Sequence, residues 1–192
     1  MYPAQLDVQT PEKIANWRPL VQWILAIPQL FIAYALCYVA QLLAVVSWFI
    51  ILFTGKLPEG IANFQCMTLR TYTRAIAYSG FLHETNPPFA YPTTPGDPGG
   101  HPVAVNFVPA LTDRNRLSVG LRIFYAIPAM LILIVISFVA GICWFVGFFA
   151  VLFTGKWPAG LHAWVIKYLR AGLRFQAYVF LLTDEMPPLN FD

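Results

Sequence analysis

Charge is what this sequence has least of. Lysine, arginine, aspartate and glutamate together make 11% of its 192 residues, against about 25% in an ordinary soluble domain. With 58% hydrophobic residues, the chain has too few polar groups to cover its own surface, so part of that surface must face lipid. The net charge of +3 comes without the dense basic patch that a nucleic-acid binder needs, so no nucleic-acid partner is expected. Histidine is scarce too. His83, His101 and His162 are scattered, and no H-E-x-x-H, G-x-S-x-G or phosphate-loop pattern accompanies them. The sequence therefore predicts no enzyme, no cofactor and no metal site. His83-Glu84 stands where the second half has Thr183-Asp184, and both pairs read as solvated helix-end groups. Cys37, Cys66 and Cys143 form no C-x-x-C pair and read as small buried hydrophobes. The stretch from Met1 to Asp7 has no basic region leading into an apolar core, so no cleavable signal peptide is expected.

What is present is internal repetition. Leu52-Phe53-Thr54-Gly55-Lys56-Leu57-Pro58-Glu59-Gly60 recurs as Leu152-Phe153-Thr154-Gly155-Lys156-Trp157-Pro158-Ala159-Gly160. At the same offset Ala26-Ile27-Pro28 falls on Ala126-Ile127-Pro128, and Pro87-Pro88 on Pro187-Pro188. Several matches at one spacing predict two tandem membrane units, 1–90 and 101–192, joined by a Pro/Gly linker over 91–100. Each unit opens with an alternating segment that suits a short strand, Gln5 to Val8 or Val103 to Phe107. An uncharged run follows, Pro19 to Thr54 or Ile123 to Thr154, longer than the roughly 20 residues that span hydrocarbon. Pro28 and Pro128 divide each run into an amphipathic leading helix and a spanning helix, Gln29–Phe53 or Ala129–Phe153. The blocks Gly55-Lys56-x-Pro58 and Gly155-Lys156-x-Pro158 read as structural turns. Glycine caps the helix, lysine suits its negative end, and proline opens the next helix.

That next helix, Glu59 to Leu82 or Ala159 to Leu182, carries the most informative pattern. Arg70 and Arg74 share a face, Lys167, Arg170 and Arg174 make the matching stripe, and Tyr78 and Tyr178 continue it one turn on. Two placements compete: flat in the headgroup layer, or crossing back with the arginines turned inward. The short linker and the shared opening strands favour crossing, if both units have one orientation. The resulting expectation is an all-α membrane protein with four transmembrane helices, amphipathic leading helices and short strand-like cytoplasmic segments. Lys13, Arg18, Arg114, Arg116 and Arg122 stand on the side of the termini and linker, and only Lys56 and Lys156 at the turns. This bias puts the termini in the cytoplasm of a multi-pass plasma-membrane protein. The acidic residues all fall at ends, turns or linkers. Compensation for the stripe is therefore expected from outside the chain, from a partner carboxylate, a lipid phosphate or a water-filled cavity.

The segments Trp17-Arg18-Pro19-Leu20-Val21-Gln22-Trp23, Trp48-Phe49-Ile50-Ile51-Leu52-Phe53-Thr54-Gly55-Lys56, Arg74-Ala75-Ile76-Ala77-Tyr78 and Pro87-Pro88-Phe89 resemble an actinobacterial family of membrane proteins filed as a domain of unknown function. The resemblance covers nearly the whole chain in both copies. The second copy departs from it where Leu117, Ser118 and Ile123 replace Trp17, Arg18 and Trp23. It implies no activity, but it does imply a host with a lipid-rich envelope. The expected function is a non-catalytic accessory subunit that docks onto a larger envelope assembly, such as a lipid-uptake transporter. Arg70, Arg74, Lys167, Arg170, Arg174, Tyr78 and Tyr178 would bind partner or lipid. The alternative is a stand-alone carrier or channel for a lipid or anion.

Overall fold

The computed structural model describes residues 2–188. The chain opens with strand β1 (Ala4–Val8), then helix α1 (Arg18–Leu25), the long apolar helix α2 (Ile27–Thr54) and helix α3 (Glu59–Ser79). The second half follows with β2 (Val103–Phe107), the short helix α4 (Arg116–Gly120), the long apolar helix α5 (Arg122–Thr154) and α6 (Ala159–Val179). The protein is thus mostly α-helical. Two of its helices, α2 and α5, are long and apolar enough to cross a membrane.

Local chemistry explains most boundaries. Gly55 and Gly155 end α2 and α5 in the left-handed region, with φ of 72° and 69°, where a side chain would be strained. Pro58 and Pro158 then sit in extended conformation ahead of α3 and α6. Pro28 opens α2, but Pro128 does not open a helix. It lies inside α5, so the expected split into a leading and a spanning helix holds only in the first half. Both α3 and α6 stop earlier than the periodicity suggests. Phe81 and Leu181 turn left-handed, with φ of 48° and 66°, and the following amides close back onto Ala77 and Ala177. Neither residue is glycine, so its own type does not mark the left-handed turn.

β1 and β2 pair antiparallel, with Leu6 opposite Val105, Ala4 opposite Phe107 and Val8 opposite Val103. Leu6 and Val105 hold the same place in their two segments, so the pairing is centred on equivalent residues. The helices follow the same two-fold relation. At one end Trp157 Nε1 donates to the Phe81 carbonyl at 3.1 Å, the two rings stack 5.3 Å apart, and Trp144 Nε1 donates to the Gly80 carbonyl. The start of α6 therefore lies beside the end of α3. At the other end Leu57 N–H donates to the Leu111 carbonyl and Ala110 N–H to the Leu182 carbonyl, both at 2.8 Å. The start of α3 therefore lies beside the end of α6. Consequently α3 and α6 run in opposite directions. So do α2 and α5, which pack on them as hairpin partners.

The arrangement is layered. Tyr72 meets Tyr34 of α2 edge-on at 5.6 Å, while Arg70 and Arg74 of the same helix bond the carbonyls of Val105 and Val103 in β2. Residues two apart on a helix point about 200° apart, so α2 and the strands lie on opposite faces of α3. Tyr168 of α6 meets Trp144 of α5 in the same way, at 6.0 Å. The strand pair and linker form one outer layer, α3 and α6 the middle, and α2 and α5 the other outer layer. The long helices are attached by narrow stripes of mostly small residues. For α2 these are Ala33, Cys37, Ala40, Ala44 and Ser47, and only 22% of the most apolar window of either helix is buried.

Two glycines matter for packing and were not singled out by the repeat. A Cβ on Gly147 would fall 2.2 Å from the Trp157 ring, and one on Gly80 would fall 2.5 Å from Trp144. Rigid indoles pinned by hydrogen bonds cannot withdraw cheaply. Gly147→Ala should cost about 1–3 kcal/mol through overpacking, whereas Gly141→Ala, which meets nothing within 4 Å, should be neutral or stabilising. Thermal unfolding in mild detergent compares the two, and equal midpoints would refute this account of Gly147.

Candidate functional site

The arginine stripe of α3 is closed by the chain itself. Arg70 is 2% exposed and Arg74 4%. Arg70 donates to the carbonyls of Val105, Pro92, Thr94, Pro95 and Gly96. Arg74 donates to the Val103 carbonyl and, through Nη2, to both oxygens of Asp97 at 3.0 and 2.9 Å. Asp97 also accepts the backbone N–H groups of Val105 and Gly99, and Asn106 Oδ1 accepts the Asp97 N–H. The linker is therefore a strap. It lies over α3 along the outer edge of β2 and carries a carboxylate into two guanidinium groups. The expectation that the counter-charge comes from outside the chain is overturned for Arg70 and Arg74. Asp97 is remote from a helix in sequence, but the strap folds back and delivers it.

The matching face of α6 is different. Arg170 and Arg174 line an open groove of about 250 Å³ with Tyr2, Gln5, Asp7 and Asn106. Tyr2 tethers its rim: its hydroxyl donates to the carbonyls of Arg174 and Glu185, and the Arg174 guanidinium lies 5.6 Å from its ring centre. The positions after Pro188 lie outside the described residues. Lys167 sits apart from the groove, with Nζ 5.8 Å from the centre of the Trp164 ring.

Tyr78 and Tyr178 lie one turn beyond Arg74 and Arg174, near the ends of α3 and α6. Both are 2% exposed and hold the helix-end turns. The Tyr78 and His83 carbonyls accept Gln22 Nε2 at 2.7 and 2.6 Å. The Tyr178 and Thr183 carbonyls accept Arg122 Nη1 at 2.6 and 3.0 Å, and the Arg122 guanidinium covers the Tyr178 ring at 4.4 Å. Gln22 and Arg122 are equivalent positions doing one job with different charge.

That extra charge has a counter-ion which the sequence reading missed. Asp184 binds Arg122 Nη2, and it also accepts Arg114 Nε at 2.9 Å and Nη2 at 2.6 Å. Burial pushes the Asp184 carboxyl up, but the hydrogen bond and charge of Arg114, with Arg122 beside it, hold it below the usual carboxylate range. His83 is 1% exposed and Thr183 2%, so these helix-end groups are not solvated as expected. Burial, with His101 at 5.0 Å edge-on, lowers His83 to about 4. His101 falls to about 4 by burial and the charge of Arg74. Both imidazoles are neutral near pH 7.

The charge count that oriented the chain also changes. Arg114 and Arg122 are buried in an ion cluster, so they do not report a membrane side. Lys13 lies against Gly155, beside Lys156, and Arg116 lies against Gly55, beside Lys56. Each end of the molecule therefore holds one lysine from a turn and one basic residue from the presumed opposite side.

Among the described residues, no group of three or more histidine, cysteine or acidic residues could hold a metal ion. The mostly helical fold and the long apolar faces of α2 and α5 define a membrane-associated helical protein. Residues 16–90 and again 116–190 match the family described as Domain of unknown function (DUF4389). The chain belongs to the DUF4389 family. No curated protein and no solved structure matches it.

Proposed function

We propose that this chain is a non-catalytic accessory subunit of a larger membrane assembly, built from two tandem copies of one unit, 1–90 and 101–192. Its groove over Arg170 and Arg174 receives an extended acidic segment of a partner protein. The repeat is supported by the double family match and by strand pairing centred on the equivalent residues Leu6 and Val105.

One observation carries the docking reading: the strap shows what an arginine face of this chain binds, and the second such face lines a groove. Over Arg70 and Arg74 the chain supplies an extended segment, Pro92 to Asp97, whose carbonyls and carboxylate fill the guanidinium forks. Over α6, Arg170 lines a groove of about 250 Å³ with Gln5, Asp7 and Asn106. Arginine binds carboxylate through two parallel hydrogen bonds, and among the described residues the outer edge of β1 pairs with no strand and can take up an incoming chain. The internal strap is thus a template for the ligand. A carrier or channel is less well supported, because this groove lies on the strand layer, away from the apolar helices.

The test places a photo-crosslinking residue at Gln5, on the groove rim, in the full chain in its native membrane. The expected result is one discrete protein adduct, joined through an acidic extended segment and lost when Arg170 and Arg174 are both changed to Gln. Adducts confined to lipid, or a protein adduct insensitive to the double change, would refute docking at this groove.

A further inference from the structure

Helices α2 and α5 are long and apolar enough to span a membrane, yet the polar strand layer lies alongside the middle of their hairpin partners. We infer that both lie along a single leaflet, their outer faces buried among its acyl chains, with the strand layer turned toward water.

Three observations lead there. The first is the place of the polar layer. Arg70 sits next to the middle of Glu59–Ser79 and bonds Val105, the centre of the strand pair. The strands therefore run alongside the middle of α3 and α6, not past their ends. If α2 and α5 stood across the bilayer, their hairpin partners would stand with them. The exposed Gln5, Asp7 and Asn106 and the irregular linker backbone would then face hydrocarbon near its mid-depth. Irregular backbone exposed to lipid at that depth does not occur, because nothing there satisfies its polar groups. Turned through a right angle, the same layer faces water.

The second observation is dimension. At 28 and 33 residues the two helices are about 42 and 50 Å long, well beyond a hydrocarbon core of about 30 Å. A layer one helix thick, about 10–12 Å, fits within one leaflet of about 15 Å. The apolar exposure is also continuous along each helix. Phe31, Leu42 and Phe53 of α2 are 75%, 70% and 79% exposed, and Phe124, Phe138 and Phe153 of α5 are 69%, 71% and 76% exposed. Gln41, beside Leu42, is the one exposed amide along α2 between Phe31 and Phe53.

The third is charge. The exposed basic residues lie at both ends of the long helices, Lys56 with Arg116 and Lys156 with Lys13. In a crossing arrangement these ends would sit on opposite membrane surfaces and cancel any positive-inside bias. Lying flat, all four meet one headgroup layer, and the anionic cytoplasmic leaflet attracts them together. The occupant of the apolar face is therefore the cytoplasmic leaflet.

Single cysteines at Gln9, Lys56 and Lys156, in a chain lacking Cys37, Cys66 and Cys143, would be probed with an impermeant thiol reagent. Right-side-out and inside-out vesicles would be compared. We expect all three to react from the cytoplasmic side and none from the other. Lys56 and Lys156 reacting from opposite sides would show that both long helices cross. Their reacting together, opposite Gln9, would restore paired crossings. Either pattern, or reaction of all three from the outer side, overturns the proposal. Quenching of labels at Phe31, Leu42 and Phe53 by bromolipids gives a second reading independent of sidedness. Equal depth is expected, and a deep Leu42 between shallow ends would count against the flat arrangement.

Discussion

Replacing Asp184 by Asn should be among the most damaging single changes in this protein. It would leave two buried guanidinium groups without their carboxylate, since the Arg114 side chain is 0% exposed and the Arg122 side chain 4%. Breaking a buried pair by removing one partner costs about 3–5 kcal/mol, because the stranded charge keeps its desolvation penalty. The equivalent position in the other half provides the control. Glu84 is 38% exposed and its oxygen lies 3.7 Å from Arg18 Nε, so Glu84→Gln should cost less than about 1 kcal/mol. Thermal unfolding of both variants in one detergent decides the matter. Similar losses at the two positions would mean that burial does not set the value of these ion pairs.

The second large effect is expected at Asp97. Its side chain is 5% exposed and serves both Arg70 and Arg74. Asp97→Asn should again cost about 3–5 kcal/mol, and the strap over residues 92–97 should become a preferred cleavage site for added protease. A double change of Arg170 and Arg174 to Gln should destabilise less, because both are partly exposed where Arg70 and Arg74 are buried. If the linker stays protected in the Asp97 variant, the strap is held by its backbone bonds to Arg70 alone. The carboxylate would then have a smaller role than its geometry suggests. The contrast also separates folding from binding: the α3 pair should report stability, and the α6 pair should report the partner.

Much of this was legible in the sequence, and the reason is local. Gly55 and Gly155, with the prolines that follow, announce two hairpin turns through backbone conformation alone. The uncharged runs declare long apolar helices because their composition admits no aqueous surface. The alternating segments at the head of each half become β1 and β2. The match of the chain to its family was readable for the same reason, since the motifs are contiguous.

What the sequence left open depends on which segment returns to which helix. Asp97 and Asp184 look like loop charges in one dimension, and only folding brings each against two arginines. Spacing put Tyr78 and Tyr178 on one stripe with the arginines, but it did not show that both are buried, Tyr78 against the His83 ring and Tyr178 under the Arg122 guanidinium. The sign of the basic residues was visible, but not their grouping. The opposed directions of α3 and α6 bring Lys13 to Gly155 and Arg116 to Gly55. Composition and capping are properties of single segments and survive in one dimension. Charge pairing, helix direction and the face a layer presents to lipid are relations between distant segments, and only the tertiary structure decides them.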